Sequence, residues 1–391
     1  MSRYRLVPSP SQEAVLREHC AHARFVWNLA VEQQSWWRPG RKCAPGYLEQ
    51  CRQLTSARAE HPWLAEGSQT VQQQALRDFS QAMRNYFAGT HRQPTWRKAG
   101  RHEGFRVVAV KPAHVRRLSR KMGEVLVPKA GWVRFRWSRA VPAARSYRVT
   151  RDRAGRWHIA FASAPKPIPG PQTGETVGID RGVAVTLALS DGATYQAPVP
   201  RAVERAQRRL SRARRGSNRR ARLKARLARL HARNADARKD WAEKRSTEIA
   251  RRYDVIRIED LKVRNMTRSA RGTIENPGRN VRQKAWLNRA ILASGWSLFA
   301  TRLEDKAAGR VEKVSPAYTS QTCSQCGIVD RKARESQAVF RCRSCGYCGN
   351  ADVNAARNIA AGHAVTARGG PGLPEPVNRE PQLLASSSGG E

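Results

Sequence analysis

Two CxxC pairs near the C-terminal end of the chain constrain its fold more than any other feature. Cys323 and Cys326 form the first pair, and Cys342 and Cys345 form the second, with 15 residues between the pairs. This spacing is typical of a structural zinc site with four thiolate ligands, which leaves no coordination position open for catalysis. The sequence therefore predicts one structural Zn²⁺ ion in a zinc ribbon over residues 320–348.

A fifth cysteine, Cys348, follows three residues after Cys345 and could compete as a zinc ligand. We favour the first four because each of their pairs ends in a CG step, where Gly327 or Gly346 allows the chain to turn back toward the metal. Five of the eight cysteines lie between positions 323 and 348, which favours metal over disulfides in a reducing compartment. The N-terminal stretch MSRYRLVPSPSQ lacks the apolar core of a secretory signal, so we expect a cytoplasmic protein.

The charge of the chain points to a polyanionic partner. Lys and Arg number 73 against 31 Asp and Glu, which gives a formal net charge of +42. The basic residues are spread over the whole length, as binding along a phosphate backbone requires. No apolar run approaches the roughly 20 residues of a membrane-spanning helix, so we expect no membrane association. The 391 residues are enough for two or three domains with cores of their own.

The first part of the chain combines helical and strand patterns. Residues 10–37 and 69–87 carry apolar side chains at spacings of three and four, which predicts two amphipathic helices. Short β-rich runs over residues 105–164 are typical of strands in a small barrel or sheet. We expect residues 1–165 to bind nucleic acid and 166–175, rich in proline and glycine, to be a linker. The stripe predicted for the second helix consists of Val71, Ala75, Phe79, Met83 and Phe87.

Three acidic residues in the second part of the chain follow or begin predicted elements. Asp180 and Glu259 each end an apolar strand, and Asp352 begins a helix. Taken singly, each has an ordinary explanation as a turn residue, a solvated strand end or a helix cap. Taken together in this order, they match the set that an RNase H-like nuclease needs to hold two Mg²⁺ ions about 4 Å apart. One ion would activate the attacking water and the other would stabilise the leaving oxygen.

A long basic stretch follows the first of these acids. Sixteen Lys or Arg residues lie between Arg201 and Lys239, and Leu223, Leu227 and Leu230 mark an apolar stripe among them. An amphipathic helix with this charge favours contact with a nucleic-acid backbone over a merely solvated face. The candidate nucleic-acid contacts of the chain are Arg24, Trp27, Gln73, Gln74, Arg208, Arg209, Arg212, Arg219, Arg220 and Arg226.

Some of these candidates have a structural alternative. The aromatic residues Phe25, Trp27, Trp36 and Trp37 could stack on bases, but packing in the core is the commoner role of such residues. The glutamines Gln72–Gln74 could contact base edges in a groove, although only part of that run can face a partner on a helix.

Several segments resemble one family, the transposon-encoded TnpB (OrfB) proteins related to compact type V CRISPR effector nucleases. RFVWNLAVE resembles the family's N-terminal helix, and VGIDRGV, VIRIEDL and ADVNAARNI resemble its first, second and third RuvC motifs. LNRAILASGWSLF and SPAYTSQTCSQCG resemble the stretch leading into its zinc finger, and the latter is the most specific match. The resemblance spans nearly the whole chain. Arg181, Cys348 and Asn350 depart from the familiar pattern, but no catalytic carboxylate is missing.

The resemblance implies an α+β multidomain fold and a function. The expected fold begins with a wedge-like N-terminal β-barrel that has an inserted REC-like helical region (1–165). An RNase H-like RuvC domain (176–319) follows and includes basic helices over 201–250. The rest is a zinc ribbon (320–348), a final RuvC segment (349–364) and a disordered tail (365–391). By this resemblance Asp180, Glu259 and Asp352 are the RuvC catalytic triad and the Mg²⁺ ligands. The expected partners are a guide RNA and target double-stranded DNA beside a short flanking motif.

The main hypothesis is therefore an RNA-guided DNA endonuclease from a transposon or a CRISPR-like system. One alternative is an RNA-guided regulator that binds DNA without cutting it, against which the three intact acids argue. Another is a transposase that joins DNA ends directly with the same acid triad and no guide RNA.

Overall fold

The computed structural model describes residues 2–37, 44–101, 103–199 and 201–362, so the predicted disordered tail lies outside the described residues. The chain divides into two compact units. Unit 1 comprises Met1–Pro167 and Pro198–Trp241, and unit 2 comprises Ile168–Ala197 and Ala242–Glu391. None of the helices in the described ranges combines the length and the apolar character needed to cross a bilayer.

Unit 1 begins with a strand and four helices, which precede six further strands. These elements are β1 (Ser2–Val7), α1 (Pro10–Ser35), α2 (Tyr47–Glu60), α3 (Pro62–Ala65), α4 (Gln69–Phe87), β2 (Gly104–Val108), β3 (Val115–Arg117), β4 (Met122–Val127), β5 (Gly131–Arg136), β6 (Ser146–Arg151) and β7 (Trp157–Phe161).

The seven strands form one antiparallel sheet in the order β2-β6-β7-β1-β5-β4-β3. β1 joins the two halves, because its residues as far as Arg5 pair with β7 whereas Leu6 and Val7 pair with β5. Among the described residues no ladder connects β2 to β3. The strand pairing is therefore that of an open sheet, and the β-barrel expected for this part of the chain is not confirmed.

The helices of unit 1 follow their sequence signals closely. α1 begins in a capping box, in which the Ser9 hydroxyl accepts from the Gln12 backbone N–H and the Gln12 side chain accepts from the Ser9 N–H. Its predicted apolar stripe is buried, and so is the stripe of α4 except for Phe87. Phe87 is exposed because α4 ends at that residue. The ring of Trp27 packs edge to face on Phe79, which joins α1 to α4.

The remaining elements alternate between the units. They are β8 (Thr176–Asp180), β9 (Leu187–Leu189), β10 (Thr194–Tyr195), α5 (Arg201–Ser211), α6 (Asn218–Arg252), β11 (Val255–Glu259), α7 (Val263–Met266), α8 (Val281–Ser294), α9 (Trp296–Lys306), β12 (Val311–Val314), β13 (Val339–Arg341), β14 (Cys348–Asn350) and α10 (Ala351–Ala360). The division between the units falls within α6, so most of the basic region expected in the nuclease domain groups with unit 1.

The sheet of unit 2 places two of the predicted acids side by side. Its order is β10-β9-β8-β11-β12, with β8, β11 and β12 parallel and β9 antiparallel to β8. Ile258 pairs with Ile179, so the next residues, Glu259 and Asp180, follow at the same end of neighbouring strands. This end carries the candidate site because the carboxyl ends of parallel strands share one edge of a sheet.

Helix α10 lies directly against β8 at a glycine. A Cβ atom at Gly178 would overlap the carbonyl oxygen of Ala356 and the backbone nitrogen of Ala360, both on α10. The absence of a side chain at Gly178 therefore sets how closely the helix approaches the strand that ends in Asp180.

Replacing Gly178 with alanine should loosen α10 from β8. Overpacking of this kind costs about 1–3 kcal/mol, and we expect faster hydrogen exchange of the α10 and β8 amides in Gly178→Ala. Gly46→Ala is the matched control, because a Cβ there meets no atom within 4 Å. The close packing would be contradicted if both variants left exchange in α10 at the parental rate.

Candidate active site

Asp180 and Glu259 lie at the ends of two buried parallel strands. Asp180 is the last residue of β8, and Glu259 is the last residue of β11. Glu259 is buried, and its Oε1 accepts a hydrogen bond of 2.8 Å from the hydroxyl of Thr319. Strand backbone and this hydrogen bond hold both carboxylates in place, as a metal-binding or catalytic role requires.

Asp352 lies in the first turn of α10 and is also buried. The cap of this helix is Asn350, whose Oδ1 accepts from the backbone N–H groups of Asp352 and Val353 at 3.0 Å each. The explanation of Asp352 as an ordinary helix cap is therefore wrong, since the preceding asparagine caps the helix. Its carboxylate instead pairs with Arg334, with Oδ1 2.9 Å from Nη2.

The negative charges of Glu259 and Asp352 both act on Asp180. Burial, followed by the negative charges of Glu259 and Asp352, raises the pKa of Asp180 to about 7. Burial also raises the pKa of Glu259, although the hydrogen bond from Thr319 opposes the shift. Buried oxygens that repel one another in this way suit a divalent cation, which neutralises them and prefers carboxylate ligands.

Two arginines complete this site, and sequence reasoning assigned a role to neither. Arg181 is buried directly after Asp180, and its guanidinium donates to the carbonyl oxygen of Glu259. Its charge interacts favourably with Asp180 and Glu259. Arg334 comes from the segment between the cysteine pairs and contacts Asp352. An arginine at position 181, where many relatives carry an apolar residue, could have indicated a role for Arg181 in the site. No sequence feature indicated a role for Arg334.

The four predicted cysteines come together. The Sγ atoms of Cys323 and Cys345 are 3.7 Å apart, and those of Cys326 and Cys342 are 3.6 Å apart. All four lie within 4.8 Å of one another, so the cluster could hold a metal such as zinc. Among the described residues no other group of three or more acids, histidines or cysteines is as tight, and exposed Cys348 is not part of this one.

The ribbon turns as its glycines predicted. Gly327 and Gly346 have φ values of 76° and 74°, the left-handed conformation that glycine adopts without strain. Backbone N–H groups of Cys345 and Ser344 lower the pKa of the Cys342 thiol to about 7, whereas the pKa values of the Cys323 and Cys326 thiols are raised, with burial contributing to both.

Hydrogen bonds from α10 tie the ribbon to the acids. Asn354 accepts from the Ser324 backbone N–H at 2.9 Å and donates to the Thr322 carbonyl oxygen at 2.7 Å. Asn358 donates to the carbonyl oxygens of Thr319 and Thr322 at 2.9 and 2.7 Å. The segment entering the ribbon is thus fixed both to the helix that carries Asp352 and, through the Thr319 hydroxyl, to Glu259.

Comparison with known protein families matches three parts of the chain. Residues 145–270 match the OrfB IS605 family model, described as a probable transposase. Residues 296–359 match the TNB domain of Cas12f1-like proteins. Residues 2–43 match a helix-turn-helix domain of the OrfB IS605 type, although residues 2–37 form one strand and the single helix α1.

Full-length relatives decide the family. The chain is 37% identical over 384 residues to a putative RNA-guided DNA endonuclease, InsQ, of Escherichia coli strain K12, covering 94% of this chain and 93% of the relative. It is 31% identical over 385 residues to a putative RNA-guided DNA endonuclease of Streptomyces pristinaespiralis, covering 94% and 90%. The chain belongs to the TnpB (OrfB) family. The family resemblance inferred from the sequence motifs is confirmed.

A solved structure supports the fold of this TnpB-family chain. The complex of Cas12f1 with sgRNA and target DNA matches with a TM-score of 0.53 at 14% identity, covering 90% of this chain and 83% of that one. The two proteins share a fold of mixed helices and sheets.

The predicted nucleic-acid contacts of this TnpB-family chain divide into two groups. Arg208, Arg209, Arg212, Arg219 and Arg226 are exposed on α5, α6 and the turn between them, where a phosphate backbone can reach them.

The other predicted contacts are partly occupied within unit 1. Trp27 packs in the core but also lines an open cavity, Gln74 is buried with its amide donating to Asp78, and Gln73 is half-buried, so contact by these three stays a prediction. Arg24 forms an ion pair with Glu103 at 2.9 Å. Arg220 donates to two carbonyl oxygens at the end of α5, which makes it a helix cap.

Removing the buried charge of Arg181 should expose the repulsion between the acids. A hydrogen bond that involves a charged group is worth about 1.5–3 kcal/mol, and Arg181 also interacts favourably with the charges of Asp180 and Glu259, so we expect a lower unfolding temperature for Arg181→Met without metal. Added Mg²⁺ should raise that temperature more in Arg181→Met than in the parent, and Arg181→Lys should lie between them. If Arg181→Met lowered the unfolding temperature by the same amount with and without Mg²⁺, the arginine would act only through packing.

The ligand set of the ribbon can be tested with two exposed cysteines. Cys326→Ser should lose most bound zinc and expose the ribbon to protease, because a structural zinc site contributes about 10–16 kcal/mol to folding. Cys348→Ser should retain the zinc content and protease resistance of the parent. The reverse pattern, measured by atomic emission and limited proteolysis, would show that Cys348 is a ligand.

Proposed function

We propose that the chain is an RNA-guided DNA endonuclease. The observation that carries this proposal is that Asp180 and Glu259 end neighbouring parallel strands, while α10, packed on β8 at Gly178, carries the buried Asp352. Full-length similarity to two relatives named putative RNA-guided DNA endonucleases supports the guide RNA and the DNA substrate. The guide would select the sequence by base pairing, and the protein would recognise duplex shape and a flanking motif.

The finer fold assignment is part of this proposal. Unit 2 is taken as an RNase H-like RuvC domain, supported by its mixed sheet with the acids at the carboxyl ends of β8 and β11. The ribbon, with one zinc ion, is an insertion before the final helix α10. The open sheet of unit 1 with helices α1–α4 corresponds to the wedge-like and REC-like regions. The linker at 166–175 would precede the nuclease domain.

Asp180, Glu259 and Asp352 would hold two Mg²⁺ ions. When bound, the ions activate water and stabilise the leaving oxygen in phosphodiester hydrolysis. The strand ends hold Asp180 and Glu259 at fixed positions, and the hydrogen bond from Thr319 orients Glu259. Arg334 balances Asp352 and is close enough to Asp180 to lower its pKa. It would contact a phosphate oxygen of the substrate when Asp352 turns to a metal.

Unit 1 provides cationic surface for nucleic acid. An open cavity of about 970 Å³ is lined by Trp27, Tyr47 and polar or charged residues of α4 and the sheet. Asp78 at this cavity pairs with Arg106 at 3.1 Å and with Arg148 at 2.7 Å. Further arginines in the lining are Arg77, Arg84 and Arg97. This excess of cations suits a phosphate backbone.

A second candidate function is direct DNA strand transfer, which the description of the OrfB IS605 family as a probable transposase favours. It would use the same acids without a guide RNA. Strand-transfer products formed by RNA-free protein would support it, whereas cleavage that depends on the guide would exclude it.

The test of the proposal is cleavage of a target plasmid by the purified protein–RNA complex with Mg²⁺. Asp180→Asn, Glu259→Gln and Asp352→Asn should each lower the rate by more than about 100-fold, since loss even of a residue that orients a metal ligand costs 10–100-fold. Asp260→Asn is the control, because the side chain of Asp260 is 42% exposed and pairs with Lys262. Unchanged cutting by Asp180→Asn would refute the assignment, and binding of the target without cutting by the parent would identify a regulator.

A further inference from the structure

A second, shallower pocket lies on the surface of unit 1 and is walled by exposed aromatic rings. It has a volume of about 470 Å³ and lies over one face of α1. Phe25 from α1, Trp63 from α3 and Trp96 from the segment after α4 line it, and they are 43%, 46% and 51% exposed. Phe25 and Trp63 meet edge to face with centroids 5.0 Å apart. Contiguous apolar surface of this kind marks a binding site more often than isolated exposed residues do.

The segment that carries Trp96 is fixed on both sides of that residue. Trp27 Nε1 donates to the carbonyl oxygen of Thr95 at 3.0 Å. The Asn28 side chain donates to the Arg97 carbonyl oxygen at 3.0 Å and accepts from the Arg97 N–H at 2.7 Å. The Arg97 guanidinium lies 3.6 Å from the centroid of the Trp27 ring. These contacts preorganise Trp96 at the pocket, which lowers the entropy cost of stacking a ligand on it.

The surroundings of the pocket are cationic. Arg92, Lys98 and Arg101 are exposed in the same segment as Trp96, whereas the lining of the pocket holds one cation, Arg24, which pairs with Glu103, and one acid, Glu32. Aromatic rings interleaved with cations are typical of single-stranded nucleic-acid sites, where bases stack on the rings and the cations contact phosphates. A paired base inside a duplex cannot enter such a pocket, whereas an unpaired base can.

We propose that Phe25, Trp63 and Trp96 form a stacking pocket for an unpaired nucleobase of the guide RNA. The inference rests on the proposed function, from which it takes the RNA partner. The guide RNA is the occupant of choice because unpaired bases are what aromatic pockets flanked by cations bind, and relatives over the full length are named RNA-guided.

Binding of oligonucleotides to the RNA-free full chain tests the pocket. The probes are a 12-nucleotide oligo(A) RNA and an abasic ribose-phosphate polymer of equal length and charge. The parent should bind oligo(A) more tightly than the abasic polymer. Trp96→Leu and Trp63→Leu should each weaken oligo(A) binding by about tenfold and leave binding of the abasic polymer unchanged.

Trp36→Leu is the matched control, because Trp36 is 57% exposed at the end of α1 and does not line the pocket. The proposal would be overturned if Trp36→Leu weakened oligo(A) binding as much as the pocket variants do. It would also be overturned if the pocket variants weakened binding of both probes equally, or if neither pocket variant weakened oligo(A) binding. So would a parent chain that dimerises by light scattering through a contact that Trp96→Leu abolishes, since a second copy would then occupy the pocket.

Photocrosslinking of the cleavage-competent complex distinguishes the source of the base. A ribonucleotide adduct on the peptide that contains Trp63 or Trp96 supports the guide RNA, and a deoxyribonucleotide adduct overturns that assignment. Neither measurement requires cleavage. A chain that prefers bases but does not cut would refute the proposed function alone, and a chain that cuts without any base preference would refute the pocket alone.

Discussion

The rest of the site depends on the crowding of negative charge around Asp180, on which Glu259 and Asp352 both act. Parallel pairing of β8 with β11 brings Asp180 and Glu259 to adjacent strand ends, and α10 adds Asp352. Charges crowded in this way destabilise the fold unless they are compensated. Arg181 offsets the charges of Asp180 and Glu259 from the buried side, and Arg334 offsets the charge of Asp352. The two arginines therefore partly offset the negative charge that the proposed metal ions would neutralise.

The ribbon helps to position the acidic residues. Its cysteine cluster contributes no acid, yet the segment that enters it is hydrogen-bonded to α10 through Asn354 and Asn358. Ala351, the residue before Asp352, packs in the small core of the ribbon with Cys323 and Cys342. Because Thr319 reaches Glu259 from the same segment, disorder in the ribbon would release two of the three carboxylates. A metal in the ribbon thus supports the acids indirectly, through the helix that it anchors.

The sequence predicted the parts of the fold that depend on local patterns. The apolar runs before Asp180 and Glu259 and the CxxC spacing are local signals, and the structure shows the strands and the cysteine cluster. The sequence could not predict contacts between segments that are distant along the chain. Arg334 reaches Asp352 only through the folded ribbon, and the burial of Gln74 depends on packing within unit 1. The barrel expected for unit 1 is not confirmed, and local patterns could not decide between a barrel and a sheet because closure depends on long-range strand pairing.

Binding of divalent metal by Asp180, Glu259 and Asp352 together can be observed in a crystal structure. The crystal would contain the full chain with its co-purifying RNA in Mn²⁺, and an anomalous difference map would locate the metal. We predict two peaks among the three carboxylates, with Arg334 moved away from Asp352. A map with Mn²⁺ elsewhere in the protein but no peak in contact with any of the three acids would contradict it.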